Sequence, residues 1–359
     1  MSDAAALRSG PAAEVWSATV RRWRTGLFDS PLNIAITLGC IAVFIRIAVP
    51  LLRWAVLDAT WAGTPETCAR ASGACWAFIG EKLRFILFGL YPPADQWQPL
   101  LAMGLLFGLC AASGVPRLWG QRLIISWVVV LTLSLTIMRG GIGSHPVPTA
   151  AWGGLPLTLL MSLLALAGAF PLAIALALGR QSTLGLVRLL CVTFIEVIRG
   201  VPLIAVLYVA ALLVPLMLPP EVTIDQLLRA QIGITIFVSA YMAEVVRSGL
   251  QSLPSSQYEA ASALGLGDWA AIRLVILPQA LRAVIPSFVT LALGVLQDTT
   301  LVVVIGIFDF LNAARISAND PNWLGFYDEA FSFAAAVYFV LCFAGSRYSL
   351  WLERRLGRE

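Results

Sequence analysis

Apolar residues in this chain fall in long unbroken blocks, not in the alternation of a half-buried strand or the narrow stripe of a surface helix. Reading each block of roughly 17 residues or more as a membrane span gives about eight. They cover roughly 32–56, 98–114, 123–139, 152–179, 190–217, 229–250, 281–306 and 331–350. All are predicted helical, because an open strand cannot satisfy its backbone in lipid. The first 30 residues are polar and carry Arg21, Arg22 and Arg24. The apolar run after them is too long and too late for a cleavable signal.

One polar connection, between the sixth and seventh blocks, has a design of its own. It reads Ser256-Gln-Tyr-Glu-Ala-Ala-Ser-Ala-Leu-Gly265 and continues to Val275-Ile-Leu-Pro278. Ser256 and Glu259 have the spacing of a capping box, which predicts a helix start. Gly265 suits the position that ends such a helix. Asp268 is predicted to cap a second short helix that stops before Pro278. Between the caps stand Ala260, Ala261, Ala263 and Leu264. Small side chains let another protein's backbone come close, so the segment reads as a rigid peg for a socket on a soluble partner. The plain alternative is an ordinary capped helix pair, since capping boxes are common.

Composition narrows the chemistry. Of 359 residues, 59% are hydrophobic and 12% charged, and the mean hydropathy is +0.85. The net charge of +4 rests almost wholly on arginine, with Lys82 the sole lysine and His145 the sole histidine. Lys82 stands in Gly80-Glu-Lys-Leu83, not in the Gly-Lys-Ser/Thr that a phosphate loop requires, so this chain is not expected to bind ATP that way. One histidine and scattered cysteines make no zinc-type cluster. No metal, cofactor, catalytic residue or nucleic-acid partner is expected.

Arginines set the orientation. A cytoplasmic N-terminus puts Arg117, Arg122, Arg180, Arg188, Arg273, Arg354, Arg355 and Arg358 inside, and leaves Glu221, Asp225, Asp320, Asp328 and Glu329 outside. The C-terminus then also lies inside, and so does the peg-like loop. The Gly/Pro-rich segment Gly140–Pro148 divides the chain near residue 150. That predicts an extension of three spans with an outer loop over 1–150, then a core of five spans over 151–359.

The loop resembles the EAA loop of binding-protein-dependent ABC importer permeases: Glu259-Ala-Ala261, Gly265, then Val275-Ile-Leu-Pro278, with Val in place of the usual Ile. Residues 152–350 are similar to the polar amino acid permeases. The matching segments are Trp152–Thr158, Leu178-Gly-Arg180, Ile195–Leu203, Ala240–Gly249, Leu277–Ala280 and Gln297–Leu301. In the first 150 residues, Leu27–Asn33, Gly73–Phe78 and Phe88–Pro92 resemble the long permease subunit of general L-amino acid and glutamate/aspartate-type importers. The resemblance implies an inner-membrane permease of a bacterial importer, with the EAA-like loop (Glu259, Ala260, Ala261, Leu264, Gly265) coupling it to an ATPase. It implies as partners a second homologous permease, two ATPase subunits that carry the ATP and Mg, a periplasmic amino acid-binding protein, membrane lipid and an amino acid substrate. The rival reading is a stand-alone secondary transporter or channel.

Charges inside spans cost about 2.5–3.5 kcal/mol each on insertion scales, so each needs an account. Glu196 and Arg199 are three apart, as are Glu244 and Arg247, which puts each pair on one helix face. They read either as self-neutralised pairs or as an inner gate. Gly200 and Pro202 are expected to interrupt the helix beside them. Gln297-Asp298-Thr299-Thr300 sits between apolar flanks with nothing local to neutralise Asp298, and reads as translocation path or as a hydrogen-bonded knot. The family usually has Lys where this chain has Gln297, and often Gln where it has Val206. Cys68 and Cys75, in the outer loop 57–97, form a candidate disulfide tying a loop that otherwise lacks a core; the other four cysteines read as packing residues.

Overall fold

The computed structural model describes residues 26–140, 145–219 and 221–356. Arg21, Arg22, Arg24, Arg358 and positions 141–144 of the Gly/Pro-rich segment lie outside them. The described residues form an all-helical membrane protein. Its chain contacts group into two units, 1–77 and 78–359.

The first unit holds α1 (Pro31–Leu52), which runs on through a π-helical turn (Arg53–Leu57). Ser30 caps α1, its Oγ accepting from the Asn33 amide at 3.2 Å, and Pro31 pre-sets the first turn. After α1 the chain folds back on itself: the Thr60 amide donates to the Ala74 carbonyl and the Ala74 amide to the Trp54 carbonyl, both at 2.8 Å. Trp76 packs against Trp54 and Trp61. Its indole donates to the Ala55 carbonyl at 2.7 Å. Within this knot α2 (Pro65–Arg70) carries Cys68, which is bonded to Cys75 across a Cα separation of 5.5 Å.

The boundary between the units falls inside α3 (Trp76–Phe88). In the second unit this helix buries Phe78, Ile79, Ile86 and Phe88. Phe78 packs against Trp323 and Phe326. Lys82 pairs with Asp320 at 2.7 Å, which holds the Asp320 carboxyl below the usual range. The stretch expected to be a coreless loop is therefore in part a packed helix, because its apolar residues recur at helical spacing and find aromatic partners near 320.

The next long helices are α4 (Trp97–Ser113), α5 (Gln121–Arg139) and α6 (Gly154–Arg180), and the described residues end on a helix over Tyr327–Leu356. After α6 come α7 (Gly185–Gly200), α8 (Leu203–Tyr208) and α9 (Gln226–Ser252). The α6 and α9 helices pack along each other at the centre of the unit. Among the described residues six helical stretches are long and apolar enough to cross a membrane, or seven if a bent pair counts as one span. The expected eight differ from this in two places. The 98–114 span is α4, whose 17 residues reach about 25 Å at 1.5 Å per residue, the short end of what crosses a ~30 Å hydrocarbon layer. The 190–217 span is the bent pair, α7 joined to α8 and its continuation to Met217 at an angle of 102°. Pro202 provides the break, for it has no N–H to continue the ladder and disfavours helix at the residue before it.

Candidate functional site: the peg-like loop, the ion network and the polar tetrad

The peg-like loop is a compact helical unit. It contains α10 (Ser255–Ala263), α11 (Asp268–Ala271), a π-helical turn (Ile272–Ile276) and α12 (Leu277–Ala283). The capping box does not form. Pro254, at φ −66° and ψ 148°, holds the cap position two residues ahead of Ser256 with no side-chain cap bond, which places Ser256 inside the first turn. Gly265 does end the helix, at φ +76°. The Gly265 amide donates to Ser262 at 2.9 Å and the Leu266 amide to Ala261 at 3.1 Å, the paired bonds of a Schellman motif.

Asp268 is not the cap of the second helix. Gly267 holds that position and Asp268 opens the first turn, where a carboxylate suits the helix dipole. Nor does the helix stop before Pro278. The π turn lets the Leu277 amide bond the Ile272 carbonyl, and Pro278, which has no N–H to offer, stands in the first turn of α12.

One side of the loop is anchored. Ile276 and Ala280 pack with Ala177 of α6 and with Val246 and Leu250 of α9. The other side is open: Leu264, Trp269 and Leu274 are 81%, 66% and 65% exposed, with Tyr258 beside them. Glu259 and Ala260 are exposed too, whereas Ala261 is buried.

The four charges singled out on the spans belong to a five-membered network. Glu196 does not pair with Arg199. It meets Arg180 of α6, Nη1 to Oε1 at 3.0 Å. Arg180 also reaches Glu244 at 3.5 Å, and Arg199 reaches the same oxygen at 3.9 Å. Glu244 and Arg247 do pair within α9 as their spacing predicts, with Arg247 Nε 2.7 Å from Oε1. Tyr241 donates to the Arg199 carbonyl at 3.3 Å, and its ring lies 5.5 Å from the Arg199 guanidinium. Sequence reading placed Arg180 among the loop arginines. Only the packing of α6 against α7 and α9 brings it to the carboxylates.

The tetrad sits where a helix changes pitch. The span following α12 is α13 (Ile285–Asp298), which tightens into a 3-10 helix (Thr299–Ile305). Asp298 is half-buried, and among the described residues its carboxylate has no hydrogen-bond or ion-pair partner. Thr299 is buried and donates back to Leu296 at 2.8 Å, while Thr300 donates to Gln297 at 2.8 Å. The exposed Gln297 points its amide at the Cys342 sulfur, 3.4 Å away.

A buried carboxylate that sequence reading missed is Asp309. It caps α14 (Phe310–Ser317), accepting from Leu311 and Asn312 amides at 3.0 and 3.1 Å. The Phe310 amide donates to Thr158 Oγ1 of α6 at 3.0 Å, so this cap also docks α14 onto the central helix. Its signal was an aspartate just ahead of an apolar-periodic run. No group of His, Cys, Asp and Glu among the described residues could hold a metal ion.

Comparison with known proteins places this architecture. The family of binding-protein-dependent transport system inner membrane components matches residues 169–358. The chain is 44% identical to the inner membrane amino-acid ABC transporter permease protein YhdY of Escherichia coli (strain K12), over 93% of this chain and 92% of that one. It is 34% identical to the glutamate/glutamine/aspartate/asparagine transport system permease protein BztC of Rhodobacter capsulatus, over 98% and 96%. A crystal structure of an amino acid ABC transporter with histidines contains a chain 31% identical to this one. The match covers 56% of this chain and 92% of that one, at a TM-score of 0.51. A stand-alone transporter or channel is thereby set aside. The chain belongs to the binding-protein-dependent transport system inner membrane components and is a non-catalytic, multi-pass inner-membrane permease subunit of an amino acid ABC importer, a complex that implies ATPase and binding-protein partners.

Proposed function

We propose that this permease works beside a second, homologous permease, above two ATPase subunits and below a periplasmic amino acid-binding protein, with both its termini in the cytoplasm. The observation that carries this reading is the loop of α10 to α12, which is fixed on its inner side and exposes Leu264, Trp269 and Leu274 on the other. Apolar side chains this exposed on a polar loop suit a partner's pocket. The arginine distribution puts the loop on the side where an ATPase would lie. Energy would enter through contacts that differ between two states of the assembly, not through chemistry in this chain.

The name of BztC points to acidic amino acids and their amides as the substrate class. Asp298 is the proposed contact for the ammonium group that all amino acids share, because a half-buried carboxylate without a partner is costly unless a passing cation meets it. The core of five spans over 151–359 carries translocation, and the extension before it adds surface.

The test is ATP-driven uptake by the complete importer in proteoliposomes. Gly265→Asp strains a left-handed backbone by about 1 kcal/mol, too little to unfold the protein. It is expected to leave the chain inserted and to abolish uptake. Asp298→Asn is expected to leave the complex intact and to change uptake rate or preference among acidic, neutral and basic amino acids. Wild-type uptake by well-expressed Gly265→Asp would sink the coupling role. Unchanged uptake of all three classes by Asp298→Asn, or loss of the complex, would sink the path role.

A further inference from the structure

Arg180 stands where two parts of the permease meet. It ends α6 one turn beyond Ala177, and Ala177 packs directly on Ile276 and Ala280 of the coupling segment. Its guanidinium is shared between Glu196 on α7, at 3.0 Å, and Glu244 on α9, at 3.5 Å. Among the described residues it is the member of the network that bonds both carboxylates, for Arg199 and Arg247 reach Glu244 alone. The α7 helix is in turn the first half of the broken span. A displacement of the coupling segment therefore reaches α6 through packing, and reaches the broken span through Arg180.

The energetics suit a contact that changes partners. The side chains are 23–54% exposed, and ion pairs so placed are worth about 0–1 kcal/mol each. Fully buried pairs cost about 3–5 kcal/mol to break and would lock the helices together. Three arginines meet Glu244, so a small shift of α6 can take Arg180 from Glu244 towards Glu196 and leave Glu244 paired with Arg199 and Arg247.

We propose that Arg180 is a positioning residue of the transport cycle: by dividing itself between Glu196 and Glu244 it passes the movement of the coupling segment to the broken span. The proposal rests on the coupling role of the loop given above.

The experiment uses the complete importer and reads two quantities, ATP hydrolysed without binding protein and amino acid imported per ATP. Arg180→Gln is expected to raise the first and to lower the second by roughly fivefold or more, the low end of coupling between sites. The ATPase should still co-purify. Arg180→Lys keeps the charge but replaces the rigid, planar guanidinium with a flexible, more strongly hydrated ammonium, and is expected to be intermediate. Glu196→Gln should move the ratio in the same direction. The double variant Arg180→Gln/Glu196→Gln should be no worse than Arg180→Gln alone, as for two groups acting through one contact. An unchanged ratio in both single variants, additive losses in the double, or failure of both single variants to assemble would overturn the proposal. Wild-type uptake by Gly265→Asp beside a lowered ratio in Arg180→Gln would fault the loop and not the network.

Discussion

At the scale of single residues, the buried carboxylates divide by how they are satisfied. Asp309 has no solvent exposure in this chain. Burial pushes its carboxyl up to about 7, against the Leu311 and Asn312 amides and Arg315, which favour the charged form. A carboxyl that holds its proton more tightly when folded contributes most below its unfolded pKa, near 4, and loses that contribution as pH rises through about 7. Thermal stability of the purified permease is thus expected to fall between about pH 4 and 7 and to level off above. Asp309→Asn, which keeps the cap but not the charge, should flatten that slope. Relief of ~1 kcal/mol at pH 8 corresponds to about 2–4 °C in Tm. Parallel pH profiles for the two proteins would refute the assignment.

The sequence made some of these residues legible and hid others for a physical reason. Gly265 announced itself because a helix end that needs positive φ selects glycine locally. Glu244 and Arg247 were paired correctly because their contact lies within one turn. Arg180 was missed because its partners lie on helices far away in the chain; the cap that Asp309 makes is local, but its burial depends on α6. The capping box failed where a local rule met a stronger one: Pro254 fixes the helix start before Ser256 can cap it.

At the scale of elements, the coupling segment and α9 are held by close approach. A Cβ placed on Gly249 would lie 2.6 Å from the Ala280 carbonyl oxygen and 2.8 Å from Val284 Cγ1. Neither backbone can retreat without moving α9 or α12. Overpacking of this kind costs about 1–3 kcal/mol. Gly249→Ala is therefore expected to lower the yield of folded protein or to separate the coupling segment from α9, with reduced uptake per complex. Full yield together with wild-type uptake would show that the contact yields freely. The π turn before Pro278 and the 102° break after α7 are two departures from straight helix, and each lies beside a candidate functional group.

At the scale of the whole molecule, the first unit stands apart in its contacts. The α1 stretch Pro31–Leu57 has none of its residues buried, and the unit is closed by its own tryptophans and the Cys68–Cys75 bond. With no residue buried in this chain, α1 contributes no packing that its own sequence must specify. Replacing residues 26–57 with an unrelated single-span helix in the same orientation is expected to keep insertion and most of the uptake. Loss of uptake with intact insertion would show that α1 serves more than attachment to the bilayer.

By itself the sequence determined the class of molecule: apolar blocks too long for a soluble core, and a polar loop with a glycine at a fixed distance from Pro278. These are local or additive properties, so they can be read without knowing what packs where. Tertiary structure decided which arginine meets which carboxylate, that α3 is a packed helix and not loose loop, and that one apparent span is two helices at a steep angle. Those outcomes depend on distances between residues remote in sequence. Coulomb energy and close packing act on such distances, and hydropathy does not record them.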